Sequence, residues 1–394
     1  MTDRRTLSEL LQRTGDPGAA MRQLVNACAA ARGLVPPFDV PAVVLDLGPL
    51  GDLSVWGPAE LGAAYEAVLD DEHRAHHGTF FTPEDVALFL ARFTLEGLEP
   101  RLRGQLVVVP DNALDTLVLD PTCGAGILLE WAAARLAVVC SALVTGRPDP
   151  SPGDILAVLP EVYSRSVFGV DLDPVAVEVA KAGCWLDIDG RRPFDWLDDN
   201  IIVGDALAGD MPPALAKRLD EPVPLIIIGN PPYSEHAKGR APWLEQRRTA
   251  GMPELLPRPC MDDFRTNGRT DGKLSNLWTF FWRWAVWQAL EARDPGGAVA
   301  LLTPHAYLIG GAFAGMREHL RRVADEGWIV ELSPEGHQAP VPSRIFPGIR
   351  TPVTIGIFAR YGPPDTSTPA CVRHTAVKGS RQEKFAQLRK LVAS

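Results

Sequence analysis

Residues 224–233, Pro-Leu-Ile-Ile-Ile-Gly-Asn-Pro-Pro-Tyr, join an apolar, β-branched run to an exit through two prolines. The run predicts a buried strand that ends at Gly229. Consecutive prolines fix φ and carry no N–H, so the backbone of the exit, Pro231 and Pro232, offers acceptors rather than donors. Asn230 adds a side-chain oxygen. Acceptors so grouped suit an exocyclic amine on an aromatic base, a poor nucleophile because its lone pair is delocalised into the ring. Accepting both N–H groups would draw that nitrogen toward tetrahedral geometry and aim its lone pair. Tyr233 supplies a flat face for stacking. An amide and a carbonyl take no proton at neutral pH, so the expected transfer is direct, with the proton lost to solvent.

A second constellation lies upstream. The run "TLVLDPTCGAGILLEWAAARL" reads as a strand, a glycine turn with Thr122, Gly124 and Gly126, and an amphipathic helix, the order that binds a nucleotide-like ligand. A dinucleotide fingerprint would need a third glycine where Leu129 stands. The turn instead offers Asp120 at the strand tip, a carboxylate suited to an ammonium group. The next tips carry Asp171 in "FGVDLDP", placed to accept from two ribose hydroxyls, and Asp205, followed by Ala206, placed to accept from an adenine amine. Any one acid at a strand end is commonly a helix cap. The ordered set of three points to S-adenosylmethionine, which has the ammonium, the ribose and the adenine and lacks a phosphate.

The elements that must position these residues follow from the hydrophobic pattern. Strand candidates at 116–120, 166–173, 201–207, 224–230, 297–304 and 352–360 alternate with helical stretches, the signature of a doubly wound α/β fold with a mostly parallel, seven-stranded sheet. Residues 1–75 read as a small N-terminal helical region without chemistry, 76–360 as the catalytic domain and 361–394 as a basic C-terminal tail. The run 276–292, with Trp278, Phe281, Trp282, Trp284 and Trp287, is apolar on nearly every side and reads as a buried core helix rather than a stacking platform.

At 394 residues, 46% hydrophobic and 22% charged, the chain fits a soluble globular protein with a sizeable core. No uninterrupted apolar stretch reaches the roughly 18–20 residues of a membrane span, and the N-terminus lacks the apolar middle of a signal peptide, so a cytoplasmic location and no membrane partner are expected. Six cysteines without a CxxC pair suggest buried free thiols, with neither disulfides nor a metal.

Taken together, Asn230-Pro231-Pro232-Tyr233, "DPTCGAG", "FGVDLDP" and "GDAL" resemble the amino-methyltransferases that modify N6 of adenine in DNA, and the similarity covers about residues 76–385. "GTFFTPEDVALFL" (78–90) is similar to the element that precedes the glycine turn in the gamma class of that family, where it closes over the methionine end of the cofactor; this implies roles for Phe81, Thr82 and Pro83. Residues 335–360 resemble the end of the methylase domain in large single-chain restriction–modification enzymes, which implies that Phe346 packs against a flipped base.

The resemblance implies double-stranded DNA as partner, and the formal charge of −10 argues only against a protein coated in positive charge. Residues 234–275 are locally basic, with eight cations against six acids, and Lys238, Arg240, Arg247 and Arg248 are expected at phosphates. The tail after Tyr361, with six cations against two acids, reads as a second basic patch. Only 48 residues follow Phe346, where gamma-class relatives carry a recognition domain. Either a separate specificity subunit reads sequence, or this chain is a truncated or free-standing catalytic core. Two other readings stand beside DNA methylation: an N-methyltransferase acting on protein or RNA, and a non-catalytic methylase-like subunit that holds DNA.

Overall fold

A computed structural model describes the chain except for residues 1–7, 10–13, 40–43, 70–81, 99–113, 234–236, 238, 246–258, 266–271, 347, 364 and 394. Its centre is one eight-stranded sheet of order β3-β2-β1-β4-β5-β7-β6-β8. The strands are β1 (Leu117–Asp120), β2 (Val167–Asp171), β3 (Ile201–Val203), β4 (Leu225–Gly229), β5 (Gly296–Pro304), β6 (Glu326–Glu331), β7 (Val353–Tyr361) and β8 (Cys371–Ala376). The first five run parallel; β7 is antiparallel to both β5 and β6. Strand order reverses between β1 and β4, which opens a crevice beyond their carboxyl ends.

The central strands are apolar on both sides because helices cover both faces. Val118, Ile226 and Ile228 point to one face, where they meet α3 (Glu84–Arg92), α4 (Ile127–Thr145), α5 (Pro152–Ser166) and α6 (Pro174–Asp187). Leu117, Leu119, Leu225 and Ile227 point to the other, against α7 (Leu277–Val286) and α8 (Ala314–Val323). The tryptophan-rich α7 is buried along its whole length, as its all-round apolarity predicts. The 19-residue α4 is apolar enough by length and composition to cross a bilayer, but it packs against α3, α5 and the sheet. In the N-terminal region, α1 (Pro17–Ala31) and α2 (Pro58–Val68) pack on α6.

Three expectations change. Among the described residues the sheet has eight strands rather than seven, because Cys371–Ala376 adds a parallel edge strand to β6. The basic tail is built into the fold: β8 leads to α9 (Arg381–Ala393), which packs on α3. One of its six cations is buried, while Arg373, Lys378, Arg389 and Lys390 remain exposed. Lys384 is fully buried, donating to Leu332 O (2.8 Å), Ser343 O (2.7 Å) and Glu335 (2.7 Å). Arg389 pairs with Asp85, and Arg373 lies 3.5 Å from Glu326. Of the six thiols, Cys371 is exposed, because it sits on this polar edge strand.

A buried ammonium that holds two carbonyls and a carboxylate is costly to remove, since its partners are left unsatisfied. Lys384→Met is therefore expected to lower unfolding stability by about 3–5 kcal/mol. A denaturant titration checks this; unchanged stability would mean that the segment is a surface tail after all.

Candidate active site

The carboxyl ends of β1, β2, β3 and β4 bring the predicted acids and the proline exit to one edge. Asp120 ends β1 and is 1% exposed; its Oδ1 accepts from Thr122 N at 3.0 Å, which shapes the turn. Burial, helped by the nearby Asp171 and opposed by the Thr122 N–H, pushes its carboxyl from the ordinary 3.8 to about 8. Asp171 ends β2. Its Oδ2 accepts from Gly124 N at 2.8 Å and its Oδ1 from Asp173 N at 2.9 Å, so the acid clips the glycine turn to its own loop. Burial raises its pKa too, and these two N–H groups hold it down.

Two glycines make the turn possible. Gly126 has φ +89°, and a Cβ there would meet Ala180 Cβ at 2.9 Å, so α4 can start only with glycine at this point. Gly124, φ +51°, is different: among the described residues a Cβ there would meet nothing within 4 Å, so the backbone faces open space between them. A ligand can approach the turn on that side.

Asp205 follows β3. Its Oδ1 accepts from Leu207 N at 2.9 Å, and its Oδ2 lies 3.3 Å from Arg240 Nη2. Ala206 is buried beside it. The Arg240 pairing places this predicted phosphate contact against an acid of the cofactor set. Trp243 Nε1 donates to Leu207 O at 2.5 Å, so the segment after the proline exit docks on the same loop.

The proline exit stands across the crevice. A Cβ on Gly229 would lie 3.3 Å from Asp120 Oδ1, which makes the strand tip before Asn230 a direct neighbour of the buried acid. Asn230 Oδ1 accepts from the Tyr233 hydroxyl at 2.8 Å. That bond orients the side-chain oxygen, an atom that can accept two hydrogen bonds. Tyr233 is half-buried against the apolar cluster that contains Phe346, and burial raises its phenol pKa. Phe346 itself is 7% exposed, lining a concavity with Arg344, Ile345 and Ile349.

Thr82 and Pro83 lie at the start of α3, where Pro83 O accepts from Val86 N (2.9 Å) and Ala87 N (3.0 Å). Phe81, Lys238, Arg247 and Arg248 lie outside the described residues. Among the described residues, no group of three or more His, Cys, Asp or Glu could hold a metal ion.

Several residues of the site carry no obvious signal of chemistry in the sequence. Leu172, between Asp171 and Asp173, is 53% exposed at the crevice edge, an apolar face available to a flat ring. A leucine between two acids at a strand end was the available clue. Asp263 and Arg283 anchor the segment downstream of the proline exit. Arg283 is 1% exposed and donates to Asp263 (2.9 Å) and to both oxygens of Glu291 (3.0 and 2.8 Å). Burial alone would raise the Glu291 pKa, but the His319 hydrogen bond and the Arg283 charge hold it at about 2.

A sheet of this order with a glycine turn, three acids at successive tips and an acceptor loop across the switch point defines a methyltransferase-type α/β domain. A family model described as N-6 DNA Methylase matches residues 58–254. The chain belongs to that family of DNA methyltransferases. No curated protein matches it. Among solved structures it is similar to the ATP-dependent type ISP restriction–modification enzyme LlaBIII bound to DNA, with 17% identity, TM-score 0.62 and coverage of 88% of this chain and 24% of that one. It is also similar to the DrdV–DNA complex, with 19% identity, TM-score 0.58 and coverage of 87% and 33%. The type IIG restriction endonuclease BpuSI gives 12% identity, TM-score 0.56 and coverage of 98% and 42%. These likenesses establish the fold, and the chain spans less than half the length of each of these proteins.

A carboxyl with a folded pKa near 8 and an unfolded value of 3.8 binds a proton that the unfolded chain has released. Its stabilising contribution is whole below pH 3.8 and is lost as pH rises to about 8. Asp120→Asn is expected to flatten the fall in stability between pH 5 and 8, by up to about 1.4 kcal/mol per pH unit. Denaturant midpoints across that range test this; parallel curves for the two proteins would contradict it.

Proposed function

We propose that the chain transfers a methyl group from S-adenosylmethionine to the exocyclic N6 of adenine in DNA, in a restriction–modification or phage-defence system. One observation carries the reading: Asp120 and the Asn230 loop are neighbours across the switch point, with Asp171 next in line. Family membership supports DNA as substrate. When bound, the cofactor supplies an electrophilic methyl group on a sulfonium centre.

The residues of the crevice fit that ligand. Asp120 binds the ammonium, Asp171 the ribose hydroxyls and Asp205 the adenine amine, while the open side of Gly124 admits the ligand to the backbone. Thr122 fixes Asp120, and Leu172 and Ala206 offer apolar surface to the adenine. Phe81, Thr82 and Pro83 close the methionine end. On the substrate side, Asn230 Oδ1 and a carbonyl of Pro231 or Pro232 accept the two N–H groups of the target amine. Tyr233, held by its bond to Asn230, gives the base a stacking face, and Phe346 lies in the same cluster.

A target base inside a duplex is unreachable, so it leaves the stack. Lys238, Arg240, Arg247 and Arg248 contact the backbone, Arg240 after release from Asp205. Recognition of a target sequence comes from another domain or a separate subunit, in line with the fraction of LlaBIII and DrdV that the chain spans.

Incubation with radiolabelled S-adenosylmethionine and DNA, RNA and protein in parallel tests the reading. Label in DNA, recovered as N6-methyladenine, is expected, with Asn230→Ala slower by about 100-fold. Label confined to RNA or protein, or full activity in Asn230→Ala, would contradict it. DNA binding without turnover and without cofactor binding would favour the non-catalytic subunit.

The raised pKa of Asp120 adds a pH signature. Binding an ammonium requires the ionised carboxylate, so below about pH 8 binding must expel a proton. Cofactor affinity is expected to rise between pH 6 and about 8, where the ligand's own α-ammonium begins to titrate, and calorimetry in buffers of different ionisation enthalpy should detect the released proton. Affinity independent of pH between 6 and 8 would remove Asp120 from this role.

A further inference from the structure

We infer that the N-terminal helical pair is part of the cofactor site, with Tyr65 as the residue that positions its ribose-binding loop. The inference rests on the reading of Asp171 given above. Tyr65, on α2, is 2% exposed, yet its hydroxyl does not end in apolar surroundings: it donates to Asp173 Oδ2. Asp173 Oδ1 caps α6, accepting from Val175 N (2.9 Å) and Ala176 N (3.3 Å), and Asp173 N donates to Asp171 Oδ1 (2.9 Å). Asp171 Oδ2 in turn takes Gly124 N (2.8 Å). A line of hydrogen bonds therefore runs from a helix outside the sheet, through two carboxylates, to the glycine turn.

The chemistry gives the hydroxyl a purpose. Asp171 and Asp173 repel each other, and the charge of Asp173 is one of the causes that raise the Asp171 pKa. With the Tyr65 O–H on Oδ2 and the two N–H groups of α6 on Oδ1, the Asp173 carboxylate is fixed as a cap. Asp171 then stays clipped to Gly124 in the orientation that faces the crevice. A phenylalanine would fill the same space and could not do this.

The helices around Tyr65 are closely packed. A Cβ on Gly62 would lie 3.5 Å from Ala125 Cβ, so α2 is seated directly on the glycine turn. A Cβ on Gly183 of α6 would meet Pro58 at 2.9 Å, a close approach of the two helices. From α1, Arg22 binds Glu178 of α6 through two hydrogen bonds of 2.7 and 2.9 Å.

The experiment measures S-adenosylhomocysteine binding by calorimetry to the full chain and to Tyr65→Phe, Asp173→Asn and Asp171→Ala, with melting temperatures for each. Tyr65→Phe is expected to weaken binding about tenfold, the loss of one charge-assisted hydrogen bond. In methyl transfer it should raise the KM for cofactor by a similar factor and leave kcat at saturation within about twofold. Asp173→Asn should give the same loss, and the double variant no more than either alone, which keeps the inference testable should one of them fold poorly. A Tyr65→Phe protein that melts lower but binds as tightly as wild type, while Asp171→Ala abolishes binding, overturns the inference and leaves the cofactor reading standing. Wild-type protein that takes no S-adenosylhomocysteine overturns both.

Discussion

Gly124 N–H donating to the carboxylate of Asp171 ties the turn after β1 to the tip of β2, and the rest of the site is arranged around that bond. Parallel strands end at a common edge, so the acids at their tips fall on one side of the sheet. Burial there makes each carboxylate expensive unless something donates to it. Backbone N–H groups of Thr122, Gly124 and Asp173 do so, and the same bonds fix the shape of the turn. Stabilising the acids and shaping the glycine turn are one structural act.

The parts that seemed peripheral in the sequence support this centre from outside. The α1–α2 pair presses on the glycine turn and on α6, and the C-terminal strand and helix close the other end of the sheet against α3. Downstream of the proline exit, the buried Arg283 joins Asp263 to Glu291 and, through it, to His319. Such an ion cluster adds little net stability, because desolvation offsets attraction, but it specifies one arrangement of the segment that leads away from Asn230. Hydrogen bonds thus fix the acids at the strand tips, and a buried charge cluster fixes the helix and segment that follow the proline exit.

Much of this is legible from the sequence wherever residue type and periodicity agree. Leu225–Gly229 reads as a buried strand because it is apolar on both faces, and the tips at Asp120, Asp171 and Asn230 mark the edge because each follows such a run. Two strands escaped notice for a physical reason. Glu326–Glu331 has acids at both ends, and Cys371–Ala376 is a polar edge strand, so neither shows the apolar run that identifies a central strand. A sequence lists charges without their partners: Lys384, one of the cations after Tyr361, is buried against Glu335, and Arg389 pairs with Asp85 at the surface. Tyr65 and Asp173 were invisible as site residues, since the bond between them spans 108 residues.

The central claim is that one crevice holds the methyl donor on the acids and the target amine on the proline exit. A crystal structure of the protein with S-adenosylhomocysteine tests it most directly. The account predicts the ligand's amino group on Asp120, its ribose on Asp171 and its sulfur facing Asn230. A ligand seated elsewhere, or in the crevice with its sulfur turned from Asn230, would contradict it.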